Sequence, residues 1–74
     1  MRLFYKKHIE NIKNQFDLTF QLDDKSLFYN RLYGLQDYIK ATEDIHSHLY
    51  TPPFIRKHYI EVLEHYQEVA ERGI

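Results

Sequence analysis

The stretch FYNRLYGLQDYIKATEDIHSHL, residues 28–49, contains the longest regular pattern of the sequence. Its core-type positions are separated alternately by four and three residues: Phe28, Leu32, Leu35, Ile39, Thr42, His46 and Leu49. Side chains at this spacing lie on one face of an α-helix, which has 3.6 residues per turn. Asp23 or Asp24 is a suitable N-cap residue just before it. The stretch therefore predicts a long amphipathic helix that continues to its last residues.

Two further amphipathic patterns flank this stretch. The upstream pattern consists of Tyr5, Ile9, Ile12 and Phe16, and the downstream pattern of Ile55, Tyr59, Val62, Tyr66 and Val69. Thr51 suits the N-cap of the downstream helix, Pro52 its first position and Gly73 its C-terminal end. The sequence thus predicts three helices joined by two short connections.

The segment between the first two helices, residues 17–22, follows a different period. Phe16, Leu18, Phe20 and Leu22 alternate with polar residues. A period of two residues is typical of extended backbone with one apolar face. We therefore expect an all-α, three-helix domain over residues 1–74, with a short extended segment between helices 1 and 2.

Length and composition limit how this domain is stabilised. A chain of 74 residues builds one small core, and domains of this size often need disulfides, metals or a second subunit. Because the sequence contains no cysteine, disulfides are excluded, and we expect a homodimer. No apolar run approaches the roughly 18 residues of a membrane span, and the N-terminus lacks the features of a signal peptide. The expected location is the cytoplasm, without a membrane partner.

The residues that usually carry catalysis or bind metals are few and poorly spaced. Ser26 and Ser47 are the only serines, and neighbours in sequence point about 100° apart on a helix. His58 and His65 are seven residues apart, whereas helical metal sites typically have histidines four residues apart. We therefore expect no enzyme, no metal and no cofactor, and a protein that acts by binding another protein.

One short segment suggests a partner. In the run QFDLTF, residues 15–20, a glutamine is followed at fixed spacing by an acid, a leucine and an aromatic residue: Gln15, Asp17, Leu18 and Phe20. This arrangement resembles the peptide with which bacterial replication proteins bind the DNA sliding clamp. The resemblance implies that Leu18 and Phe20 enter an apolar pocket on the clamp, while the Gln15 amide hydrogen-bonds at its rim.

The whole chain also resembles a class of small phage-encoded proteins. Its length, its lack of cysteine and its 7 Tyr and 5 Phe are similar to those of staphylococcal-phage inhibitors of the host sliding clamp. The resemblance implies a stoichiometric inhibitor that blocks replication. It also implies a second route, since the clamp's DNA channel is lined by basic helices that acidic side chains would contact. Candidates for this route are Asp37, Asp44 and a stripe on the third helix, Glu61, Glu64, Glu68 and Glu71.

Other interpretations remain open at this stage. The glutamate stripe is also what an ordinary solvated helix face looks like. The chain is compatible with an inhibitor or adaptor of another host protein, of the anti-defence type. A nucleic-acid-binding regulator would use the bases of the first helix, Arg2, Lys6, Lys7 and Lys13. Four bases are too few to predict such binding, so we expect no direct contact with nucleic acid.

Overall fold

The computed structural model describes residues 3–73 and contains three α-helices. Helix α1 spans Leu3–Gln21, α2 spans Lys25–Glu43 and α3 spans Pro53–Glu71. A tight turn at residues 22–24 joins α1 to α2, and a longer loop at residues 44–52 joins α2 to α3. Each helix packs against both others, and no strand occurs between residues 3 and 73. The predicted all-α class is confirmed.

The core forms where the three stripes meet. Its buried apolar residues all occupy predicted stripe positions: Ile9, Phe16, Phe28, Leu32, Leu35, Ile39, Ile55, Tyr59, Val62 and Tyr66. Aromatic rings connect all three helices, since Phe16 stacks on Tyr66 with ring centroids 4.0 Å apart and meets Phe28 edge-on at 5.5 Å. Such pairs add stabilisation beyond the area that they bury.

The predicted extended segment is wrong, because α1 continues as a helix through Gln21. Phe16 and Thr19 are buried three residues apart, and the Thr19 hydroxyl donates a hydrogen bond to the Phe16 carbonyl at 2.6 Å. The alternating residues Leu18 and Leu22 are instead 41% and 59% exposed. A lone strand leaves its backbone groups without partners, whereas a helix satisfies them internally. That difference decides the conformation of residues 17–21.

The turn between α1 and α2 uses both predicted aspartates, in different roles. Asp23 adopts a left-handed backbone conformation with φ of +51°, which aspartate tolerates better than most residues. Asp24 is the N-cap of α2, and its Oδ1 accepts a hydrogen bond from the Leu27 amide at 2.9 Å. This bond satisfies one of the amides that a helix start leaves free.

Helix α2 ends at Glu43, earlier than its stripe predicts, so His46 and Leu49 lie in the loop. The loop contains residues that hydrogen-bond their own backbone. Asp44 Oδ1 accepts from the His46 amide at 2.9 Å, and Ser47 Oγ accepts from the Leu49 amide at 3.1 Å. These short-range bonds compete with helix formation, and they end α2 despite the continued apolar spacing.

Helix α3 begins one residue later than predicted. Its N-cap is Pro52, with φ of −57° and ψ of 146°, and its first residue is Pro53. A proline disfavours the helical conformation in the residue before it, so Pro53 keeps Pro52 extended. Thr51 therefore lies outside the helix, where it is buried rather than capping. Gly73 follows the helix with a φ of +88°, as expected of glycine at a helix end.

Candidate functional site

The clamp-like motif lies entirely on α1, and its residues point in different directions. Leu18 and Phe20 are 41% and 40% exposed, but residues two apart on a helix are about 200° apart around its axis. Between them, Thr19 is buried in the core. An extended peptide presents its leucine and aromatic residue together, and this helix does not.

The contacts of the motif confirm this separation. Gln15 lines a groove between α1 and α2, together with Asn30 and Arg31. Phe20 packs toward the start of α2, with its ring centroid 5.4 Å from that of Phe28. Asp17 faces α3, where its carboxylate accepts a hydrogen bond from the Tyr66 hydroxyl at 3.3 Å.

The glutamate stripe of α3 is continuous and exposed. Glu61, Glu64, Glu68 and Glu71 are all solvent-accessible, and with a rise of 1.5 Å per residue they extend over about 15 Å. Glu68 pairs with Arg72, and Glu61 Oε2 lies 3.7 Å from His58 Nδ1. Between residues 3 and 73, Arg72 is the only lysine or arginine that pairs with one of these four glutamates. The stripe, which we call the acidic row, therefore remains a net negative surface.

Asp37 and Asp44 do not join the acidic row. Asp37 is exposed on α2, two residues from the buried side chains of both Leu35 and Ile39, so it lies on the outward side of that helix. The outward sides of different helices in a three-helix bundle face different directions. Asp44 belongs to the loop, where it hydrogen-bonds the His46 amide. The structure thus brings together only the acids of α3.

The bases of α1 are also divided between surfaces. Lys6 and Lys13 line a groove of about 520 Å³ between α1 and α3, together with Glu10, Glu61 and two histidines. Lys7 lines a different cavity, formed with the loop of residues 44–52. Arg2 lies outside the described residues. No face of α1 between residues 3 and 21 gathers the bases into the continuous basic patch that nucleic-acid binding requires.

Two buried tyrosines bridge α1 and α3. The Tyr59 hydroxyl is 2.9 Å from His8 Nδ1, and burial, with a smaller contribution from nearby Tyr38, raises the pKa of Tyr59. Burial and then the negative charge of Asp17 raise the pKa of Tyr66 to about 12. Both phenols are therefore neutral at physiological pH and serve the packing of α1 on α3.

A cavity of about 660 Å³ at one end of the bundle was not predicted from the sequence. Its walls come from the start of α1, from Tyr38 of α2 and from residues 48–51 of the loop. The sequence prediction missed it because it treated residues 44–49 as helix. Asp44, Ser47 and the two prolines at positions 52 and 53 are the residues that would have indicated a loop.

Comparison with known proteins does not assign the chain to a family. The sequence matches no family model, and comparisons with the curated proteins and with the solved structures found no match. Across residues 3–73, no group of three or more His, Asp or Glu side chains is placed to hold a metal ion. No helix in that range combines the length and apolar character needed to cross a bilayer.

Proposed function

We propose that this chain is a stoichiometric protein inhibitor that binds the DNA sliding clamp of a bacterial host and blocks replication. Of the two routes, we favour insertion into the DNA channel, with the acidic row as the recognition surface. The observation that carries this choice is the helical conformation of residues 15–20. Binding in the peptide pocket would require α1 to unwind and would expose Phe16, which is 1% exposed in the bundle.

The acidic row supports the channel route by its charge and its shape. Carboxylates spaced along about 15 Å of a rigid helix offer a linear negative surface to a channel lined by basic helices. Opposite charges on two partners speed their encounter and fix their relative orientation. An inhibitor of this kind would exclude DNA by occupying its place and would act in the host cytoplasm.

We also propose that the inhibitor is a homodimer. Tyr29 and Tyr33 lie one turn apart on α2, are 39% and 56% exposed, and stack with ring centroids 6.3 Å apart. Exposed aromatic residues of this kind are enriched at protein interfaces. A dimer contact on these two tyrosines would leave the acidic row of α3 free for the clamp.

Titration calorimetry with a purified clamp, at two salt concentrations, tests the channel route. Replacing Glu61, Glu64 and Glu68 with lysine should weaken binding at least about tenfold at low salt, because attraction to the channel becomes repulsion. Raising the salt concentration should weaken wild-type binding in the same way. Duplex DNA should compete for the clamp, and a clamp-binding peptide from a replicative polymerase should not.

The matched control changes the clamp-like motif and leaves the charge unaltered. The double variant Leu18→Ala, Phe20→Ala should bind the clamp as the wild type does. A loss of affinity in this variant, together with competition by the peptide, would support the pocket route instead. If the wild-type protein does not bind the clamp at tens of micromolar, the target is wrong. A pulldown from host lysate then identifies which other host protein the chain binds.

A further inference from the structure

The cavity at the end of the bundle is a concavity open to solvent, and its lining suits a binding site. The chain runs up, down and up, so the start of α1, the end of α2 and the start of α3 meet at this end. The volume of about 660 Å³ falls within the range of protein ligand pockets. Its walls are mainly aromatic and aliphatic: Phe4, Tyr5, Tyr38, Leu49 and Tyr50.

The polar lining of the cavity favours a negative group. Among the described residues, Lys7 is the only lysine, arginine or acidic residue that lines the cavity. His8, His48 and Asn11 add further nitrogen atoms. The Thr51 hydroxyl at the same cavity is buried and makes no hydrogen bond within the described structure, and a polar group left unpaired in this way costs stability.

The end of the bundle that contains the cavity carries several exposed apolar side chains. The four most exposed large apolar side chains between residues 3 and 73 all lie at this end: Leu3 at 66%, Phe4 at 72%, Ile45 at 70% and Phe54 at 65%. A small molecule inside the cavity would leave most of these side chains in water. Phe4 lines the cavity itself, and a protein segment that extends beyond the cavity would cover more of this end than a small molecule. Exposed apolar patches commonly mark such contacts.

We propose that this end of the bundle binds a segment of a partner protein in which an aromatic side chain stands next to a carboxylate. The aromatic ring occupies the cavity, where edge-to-face contacts with rings such as Tyr38 are available. The carboxylate pairs with Lys7 at the cavity wall. This site is separate from the acidic row of α3 and has the opposite charge, so it goes beyond the proposed clamp contact.

Backbone amide NMR shifts of the isotopically labelled full chain test this inference. The ligand is the peptide acetyl-Ala-Asp-Phe-Asp-Ala-amide, titrated up to about 5 mM. Shifts should concentrate at the start of α1, around Tyr38 and in the loop of residues 44–52. The peptide acetyl-Ala-Lys-Phe-Lys-Ala-amide should bind at least about fivefold more weakly, because its charges repel Lys7.

Two variants at neighbouring positions distinguish binding at this site from a general effect of surface charge. Lys7→Glu should reverse the preference between the two peptides. Lys6→Glu makes the same change of charge on the flank that faces α3, and it should leave the preference unaltered. Equal binding of both peptides, an equal effect of the two variants, or shifts outside this end would each overturn the proposal. So would dissociation of a dimer by Lys7→Glu, since a second copy would then occupy this end.

Discussion

At the scale of single residues, three buried threonines differ in one respect that can be measured. The hydroxyls of Thr19 and Thr42 donate to the carbonyls of Phe16 and Ile39, at 2.6 and 2.7 Å. The Thr51 hydroxyl has no such partner among residues 3–73. A buried hydroxyl contributes stability when it is bonded and lowers it when it is not.

Substitution by valine, which keeps the shape of threonine, should therefore have opposite effects. We expect Thr51→Val to raise the free energy of unfolding by about 1 kcal/mol and Thr42→Val to lower it by about 1 kcal/mol. Urea denaturation of the two variants and the wild type measures both changes. A destabilised Thr51→Val protein would mean that its hydroxyl has a partner in solution.

Tyr66 makes the stability of the bundle sensitive to alkaline pH. Its pKa is raised to about 12 in the folded protein, first by burial and then by the charge of Asp17, against about 10 in an unfolded chain. Between these values the unfolded state loses a proton that the folded state keeps, so stability falls as pH rises. Tyr66→Phe should flatten this fall between about pH 10 and 12.

The measurement is the free energy of unfolding against pH, with Tyr50→Phe as the control. Tyr50 is 38% exposed and lies in the loop of residues 44–52, apart from the proposed dimer contact, so its replacement should leave the alkaline slope as it is. If the wild type and Tyr66→Phe lose stability in parallel, the hydroxyl of Tyr66 titrates alike in both states and our assignment is wrong.

At the scale of the helices, the start of α2 depends on one side chain. Asp24 Oδ1 accepts from the Leu27 amide, and losing an N-cap typically costs about 1 kcal/mol. Asp24→Ala should destabilise the protein by that amount in chemical denaturation. Ser26 is exposed in the same turn, and Ser26→Ala should change stability by less than about 0.5 kcal/mol. Similar effects of the two variants would argue against capping.

The helix faces were predictable from the sequence, as were the start of α2 at Asp24 and the end of α3 before Gly73. The ends of α1 and α2 and the start of α3 were not. Apolar spacing identified Phe28, Ile39 and Tyr59 as core residues, because each amphipathic helix buries the apolar residues of one face. Spacing carries no information on where a helix stops. Side-chain hydrogen bonds stop α2 before His46, and the steric demand of Pro53 delays the start of α3.

The candidate surfaces were also predictable only in part. The acidic row was predictable because its four glutamates belong to one helix. The separation of Asp37 from that row follows from how the helices pack, and so does the cavity beside Lys7. The conformation of residues 17–22 was mispredicted, because the alternating pattern includes the buried Phe16 and the exposed Leu18 and Leu22, on a helix that also buries Thr19.

At the scale of the whole molecule, the property to measure is the oligomeric state. If Tyr29 and Tyr33 form the dimer contact, Tyr33→Lys should shift the protein to a monomer, because it places a charge in an apolar interface. Asn30→Lys adds the same charge on the flank of α2 that faces α1 and should leave the dimer intact. Sedimentation equilibrium at micromolar concentration tests both, and a wild-type protein that is only monomeric would contradict the dimer.

The hydrogen bond between His8 and Tyr59 also bears on how the bundle assembles in time. It joins residues 51 positions apart, whereas the turn at residues 22–24 brings α1 and α2 together through neighbouring residues. Closing a longer loop costs more entropy, so the α1–α2 hairpin should form before α3 meets α1. Small helical bundles fold within microseconds to milliseconds. Tyr59 meets α1 only in that last step, so the formation of its hydrogen bond to His8 marks the end of folding.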